Sequence, residues 1–173
     1  MNKEQTITGV IRGTGACVPE RILDNKEIAG FVDTSDEWIR ERTGVRRRRI
    51  AEKETTVSMA CDAACQAVEE AGISPDEIDM ILVATGSPDQ IFPCTACRVQ
   101  EALGADGAVG FDLNAACSGF LFAYNTAQAY IASGIYRTVL VIGSESISRL
   151  VDWTDRGTCI LFGDGAGAVL IQA

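Results

Sequence analysis

The 173-residue sequence contains no histidine. That removes the commonest general base and excludes a Ser/His/Asp or Cys/His catalytic arrangement assembled within this chain alone. No apolar run approaches the roughly 20 residues of a membrane-crossing helix, and Met1-Asn2-Lys3-Glu4-Gln5 lacks the apolar stretch of a signal peptide. Basic residues are the minority, with 15 Lys and Arg against 24 Asp and Glu. The resulting net charge of −9 repels nucleic-acid phosphate and anionic lipid. Proline is scarce at four residues, and there is no low-complexity segment, short repeat or linker. These absences predict a cytoplasmic protein with neither nucleic acid nor membrane among its partners.

What is present is enough for a core. A chain of this length removes roughly two thirds of its unfolded surface from water, and 47% of its residues are hydrophobic, so residues 1–173 read as a single domain. Cysteines stand at 17, 61, 65, 94, 97, 117 and 159. An odd number without an export signal predicts a reducing compartment and free thiols.

Periodicity organises the chain as alternating strands and helices. Ile7 to Ala16 mixes β-branched residues with Gly9, Gly13 and Gly15, the pattern of a first strand closely approached by other backbone. Asp33 to Trp38 supplies capping side chains and first-turn acids for a short helix. Thr55 to Ala71 repeats small and apolar residues at helical spacing and closes on Gly72. The apolar runs Met80–Ala84, Val109–Leu113 and Val139–Ile142 read as strands, Thr95 to Leu103 as a helix, and Ala166 to Ile171 as a last strand. Such alternation predicts a largely parallel sheet covered on both faces.

The most informative stretch is Phe111-Asp112-Leu113-Asn114-Ala115-Ala116-Cys117-Ser118-Gly119-Phe120. A strand runs through small residues into a helix continuing to about Ser133, and Cys117 falls at the turn. Unpaired N–H groups and the positive end of a helix dipole favour thiolate over thiol. Ala115, Ala116 and Gly119 leave room for a substrate carbonyl, as around the serine of a nucleophile elbow, and backbone N–H groups there can serve an oxyanion. By position alone Cys117 can also be a small buried hydrophobe, as many cysteines are.

Seven stretches, in this order and separation, resemble the β-ketoacyl-acyl carrier protein synthase III family of the thiolase superfamily. They are Gly13-Thr14-Gly15 with Pro19, Asp33 to Trp38, Arg42-Thr43-Gly44, Phe92-Pro93, Ala115 to Phe120, Asp152 to Gly157 and Phe162 to Gly167. The resemblance implies a thiolase-like α/β fold, one half of a duplicated architecture, with a mixed five-stranded sheet between helices, and an isologous homodimer. It implies that Cys117 takes an acyl group from acyl-CoA and condenses it with malonyl-acyl carrier protein, releasing CO₂ and initiating fatty-acid synthesis. CoA is then a substrate, and no cofactor or metal is implied. The motif matches put the adenine contacts of CoA on Trp38 and Arg156, with Arg42 as a second cation. They put acyl-pocket positions on Phe92, reaching across the dimer, and Phe162. Read without the resemblance, Trp38 is a helix residue covering the core, the two arginines are solvated charges, and either phenylalanine is an ordinary core aromatic.

The family's catalytic histidine and asparagine lie in a second half, beyond Ala173, so this chain alone is expected not to condense. A non-catalytic half that binds CoA thioesters, or a partner chain supplying the second half, is the reading from another class. A related quinolone or polyketide condensing enzyme is the alternative within the same class.

Three further signals have plainer readings. Cys94-Thr95-Ala96-Cys97 is a C-x-x-C at a helix start, open to redox chemistry or to half a zinc site with Cys61 and Cys65; the helical spacing of the latter pair among alanines favours core cysteines. Gly163 to Gly167 leads into a strand, whereas phosphate loops open a helix. Arg46 to Arg49, the only basic run, predicts a solvated ribbon with two arginines on each side, which an acidic carrier protein can visit.

Overall fold

A computed structural model describes residues 7–173; the reading of Met1 to Gln5 falls outside them. The chain forms β1 (Val10–Cys17), β2 (Ile22–Asp24), α1 (Asn25–Ile28), α2 (Asp36–Thr43), β3 (Arg47–Arg49), α3 (Thr56–Ala71), β4 (Met80–Ala84), α4 (Thr95–Leu103), β5 (Val109–Leu113), α5 (Gly119–Ala132), β6 (Thr138–Ser146), α6 (Arg156–Cys159) and β7 (Asp164–Gln172). The first strand starts at Val10 rather than Ile7. None of the described helices is long and apolar enough to cross a membrane.

Five strands form one mixed sheet in the order β1-β7-β6-β4-β5. The pairs β4–β5 and β4–β6 are parallel, whereas β1–β7 and β6–β7 are antiparallel, so the sheet is evenly divided rather than largely parallel. The reason lies between β6 and β7. Ser146 at the end of β6 pairs with Asp164 at the start of β7, so the chain re-enters at the end it left and needs no helical crossover.

Alternate residues of each strand serve opposite faces. Ile81, Val83, Leu140, Ile142 and Leu170 pack under α3 and α4, while Met80, Leu82, Val139, Val141 and Ile171 pack on α5. All five residues of β4 are buried, which is why the strand reads as an unbroken apolar run. The helix α3 is capped by Thr55, whose side chain accepts from Ser58 N–H, and stops at left-handed Gly72. Four of its seven buried residues are alanine, and β1 lies close against it. A Cβ at Gly13 would sit 2.1 Å from the carbonyl oxygen of Ala67, and one at Gly15 2.0 Å from that of Ala63. The two glycines are what allow strand and helix to touch.

β6 runs four residues beyond its apolar stretch. Gly143 to Ser146 stay in the strand because β7 pairs with them and their side chains are satisfied; Ser144 Oγ, for example, donates to Thr56 O at 2.7 Å. A smaller ladder, β2 with β3, corrects the expectation of a solvated arginine ribbon. Arg48 pairs with Leu23 in register and points inward with it, leaving 6% of its surface exposed. Its guanidinium donates to Asn25 Oδ1 at 3.0 Å and to Ile160 O at 2.7 Å. A third apolar cluster around Leu23, Ile28, Ile39, Cys159 and Ile160 carries α1, α2 and α6 beside the sheet.

Candidate active site

The turn between β5 and α5 is built to present one side chain. After Asn114 and Ala115 the backbone makes a single tight turn, Ala116–Ser118, before α5 opens at Gly119. Ala116 has φ of 48°, the one non-glycine in the left-handed region among the described residues, a conformation that costs energy and clusters at functional sites. Asn114 Oδ1 accepts from Ala116 N–H at 3.3 Å. A Cβ at Gly119 would meet Ala84 Cβ at 3.2 Å, so glycine there lets the helix start lie against the end of β4. Cys117 comes out exposed, not buried as a small hydrophobe would be. It precedes the helix by two residues rather than opening it. Ser118 N–H is bonded to Ala115 O and Gly119 N–H to Ala116 O, which leaves Cys117's own N–H as the donor an oxyanion would use.

Cys117 opens on a cleft of about 930 Å³, shared with Val18, Asn114, Phe120, Glu145, Leu161 and Phe162. The cleft lies at the carboxyl ends of β4, β5 and β6, where open α/β sheets bind ligands. Phe162, 37% exposed, is therefore brought together with Cys117. Glu145, at the cleft wall, accepts from Gly86 N–H at 2.8 Å and from the Ser87 hydroxyl, anchoring the loop after β4. Sequence reasoning missed Glu145 and Asn114. The signal was there in polar residues placed directly after strands that read as apolar.

Phe92 is not brought to this cleft. It is 90% exposed and its neighbour Ile91 is 92% exposed, so Phe92 is neither a core aromatic nor, within one chain, a wall of the cleft. A loop that ends in Pro93 before α4 carries it outward.

Trp38, Arg42 and Arg156 do assemble. Ser35 caps α2, its Oγ accepting from Trp38 N–H at 3.1 Å. One turn later Arg42 lays its guanidinium 4.2 Å from the indole centroid. Arg156, held at the start of α6, stands 4.8 Å from the same ring and donates to Asp33 O at 3.1 Å. The indole is half-buried against the third apolar cluster, so it combines the core-covering role with an aromatic surface carrying two cations. Such a group suits a planar, anionic ligand.

All seven cysteines are free thiols. Burial pushes the Cys61 thiol up to about 11, and Cys17 and Cys159 are raised chiefly by burial as well. Among the described residues no group of three His, Cys, Asp or Glu side chains is placed to hold a metal ion.

Residues 111–173 match the family model of 3-oxoacyl-[acyl-carrier-protein] synthase III. The chain is 56% identical over 162 residues to β-ketoacyl-[acyl-carrier-protein] synthase III of Clostridium acetobutylicum, covering 94% of this chain and 50% of that protein. With its counterpart in Rhizobium meliloti it shares 54% over 168 residues, 96% of this chain and 52% of the relative. Among solved structures, 3-oxoacyl-[acyl-carrier-protein] synthase III of Aquifex aeolicus superposes with a TM-score of 0.94 at 52% identity, over 95% of this chain and 54% of that one. The priming β-ketosynthase of the R1128 polyketide pathway gives 0.93 at 40% identity, over 99% of this chain and 52% of that one. The chain thus has the thiolase-like fold and spans about half the length of the curated relatives it matches.

Proposed function

From its identity of 54–56% to β-ketoacyl-[acyl-carrier-protein] synthases III over about half of their length, we propose that this chain belongs to that family and supplies the acyl-accepting half of a condensing enzyme that primes fatty-acid synthesis. The observation that carries this is Cys117, an exposed thiol on a strained turn opening into the cleft at the strand ends.

In the first step the Cys117 thiolate attacks the thioester carbonyl of an acyl-CoA. The carbon–sulfur bond to CoA breaks, CoA leaves as a thiol, and the acyl group stays as a new thioester. Cys117's N–H steadies the tetrahedral oxyanion. In the second step malonyl-acyl carrier protein loses CO₂, its enolate carbon attacks the Cys117 thioester, and the thiolate is released with the longer β-ketoacyl carrier as product. The enolate needs hydrogen-bond donors; the histidine and asparagine that the family resemblance assigns to this task belong to the other half. Trp38 with Arg156 and Arg42 holds the adenine end of CoA, Phe162 borders the acyl group, and Phe92 reaches the cleft of a second copy. A cytoplasmic compartment fits the seven free thiols.

A homodimer belongs to the same reading. β5 is an edge strand that exposes Val109 (45%) and Phe111 (38%), and the loop before α4 exposes Ile91 and Phe92, apolar surface and an unpaired edge of the kind proteins normally cover. Arginine at both 109 and 111 is expected to give a monomer in sedimentation.

Peptide mass spectrometry after incubation with acetyl-CoA tests the central assignment. One acetyl group is expected on Cys117 and none after Cys117→Ser; label persisting in that variant, or landing on Cys94, overturns it. The polyketide-priming alternative draws on the similarity to the R1128 enzyme, and the same experiment with a panel of acyl-CoA lengths separates the two. A merely binding half would take up CoA with no acylation.

A further inference from the structure

The C-x-x-C that opens α4 is not absorbed by acyl transfer. Cys94 is the N-cap of the nine-residue α4 and Cys97 lies in its first turn. Their sulfurs are 3.4 Å apart, joined by a thiol hydrogen bond. That is about 1.4 Å beyond a disulfide bond of roughly 2.05 Å, a distance side-chain rotation can close. Both residues are partly exposed, so a small molecule can reach them. Cys17, Cys61 and Cys159 sit in surroundings that hold them as thiols, whereas exposed Cys65 and Cys117 are not in bonding contact with another sulfur.

We propose that Cys94 and Cys97 form a redox-reactive dithiol, which small-molecule disulfides of the glutathione class convert to an intrachain disulfide. Cys94 attacks first, because Cys97 is raised by its hydrogen bond with Cys94 and by burial and stands 3.4 Å away as the resolving thiol. The Cys94 thiolate attacks one sulfur of the oxidant, whose S–S bond breaks and expels one thiolate. Cys97 then loses its proton and attacks Cys94 within the mixed disulfide, releasing the second thiolate. Two protein thiols are oxidised, one disulfide is reduced to two thiols, and the two protons are shared between the products. The bond would lock the first turn of α4, whose Thr95 and Ala96 N–H groups donate at 2.8 Å to Asp112 of β5, on the strand that leads to Cys117.

The test incubates the whole chain with oxidised and reduced glutathione in stepped ratios, alkylates the remaining thiols under denaturing conditions, and locates every cysteine by peptide mass spectrometry. The expected result is a peptide carrying Cys94 and Cys97 that has lost two hydrogens and bears neither alkyl group nor glutathione, at ratios where Cys61 and Cys159 are still fully alkylated. In Cys97→Ser, Cys94 should accumulate as a stable glutathione adduct. Three results overturn the proposal: both thiols alkylated at ratios where Cys65 or Cys117 already carries glutathione, a disulfide from either one to a different cysteine, or no adduct on Cys94 in Cys97→Ser.

Discussion

Removing the indole of Trp38 should weaken CoA binding, and through lost packing should weaken the fold by a comparable amount. The ring carries guanidiniums at 4.2 and 4.8 Å, and a purine entering the group exchanges one cation contact for a stacked one. Base-on-aromatic stacking contributes about 1–3 kcal/mol by alanine substitution. At about 1.4 kcal/mol per decade, Trp38→Ala should therefore raise the Kd for CoA roughly 5- to 150-fold. Losing a fully buried large aromatic costs about 3–5 kcal/mol; Trp38 is only half-buried, so the accompanying loss of stability should be about half that. Trp38→Phe separates the two effects, since it keeps most of the packing and a smaller stacking face. Arg42→Ala and Arg156→Ala should each cost about 0.5–2 kcal/mol of affinity with little change in melting temperature. Calorimetric titration with CoA measures the first quantity and thermal unfolding the second. A Trp38→Ala chain that remains folded and binds CoA within about twofold of the parent would refute the placement of adenine on this ring.

Gly15→Ala should destabilise the fold by about 1–3 kcal/mol or more, because its Cβ would stand 2.0 Å from the carbonyl oxygen of Ala63 and α3 would have to move; a melting temperature within error of the parent would contradict the packing. Cys61, with its thiol pushed up to about 11, should alkylate near pH 8 roughly 100-fold more slowly than an ordinary thiol, a difference that vanishes in denaturant. Because this folded value lies above the ordinary 9.0, its contribution to stability is intact below about pH 9 and is lost as pH rises toward 11, which unfolding midpoints across that range can read. Asp89 accepts from the Thr56 and Val57 N–H groups at 3.2 and 2.8 Å and pairs with Arg149 at 2.9 Å. Burial alone would raise its pKa, but these N–H groups and Arg149 outweigh burial and leave it lowered, so Asp89→Asn should cost about 1–2 kcal/mol in denaturant titration.

The elements that local chemistry specifies were legible in the sequence. Thr55 and Gly72 bracket α3 with the cap and left-handed stop their residue types favour, and Met80 to Ala84 is apolar throughout because both faces are covered. What the sequence hid depends on partners distant along the chain. The length of β6 is set by β7 pairing with Gly143 to Ser146, and the strand directions by where the chain re-enters the sheet. Arg48 looks like any solvated arginine until Asn25 and Ile160 appear as its acceptors. The grouping of Trp38 with Arg156 spans more than a hundred residues, and no spacing rule connects them; the motif resemblance did.

The same distinction bears on Cys117. Its neighbours in sequence predicted a narrow turn, and the turn is narrow because Ala116 accepts a left-handed φ and Gly119 accepts contact with Ala84. Either feature alone would be strain without a return. Together they hold the thiol at the carboxyl ends of three strands, facing a cleft whose other walls come from Val18 on the β1 side and from Leu161 and Phe162 ahead of β7. That cleft joins the first and last strands of the sheet to its middle. Loosening the turn with Ala116→Gly, which removes the left-handed penalty, should therefore leave stability equal or higher while slowing acetylation of Cys117. Unchanged acetylation would show that strain at Ala116 does not position the nucleophile.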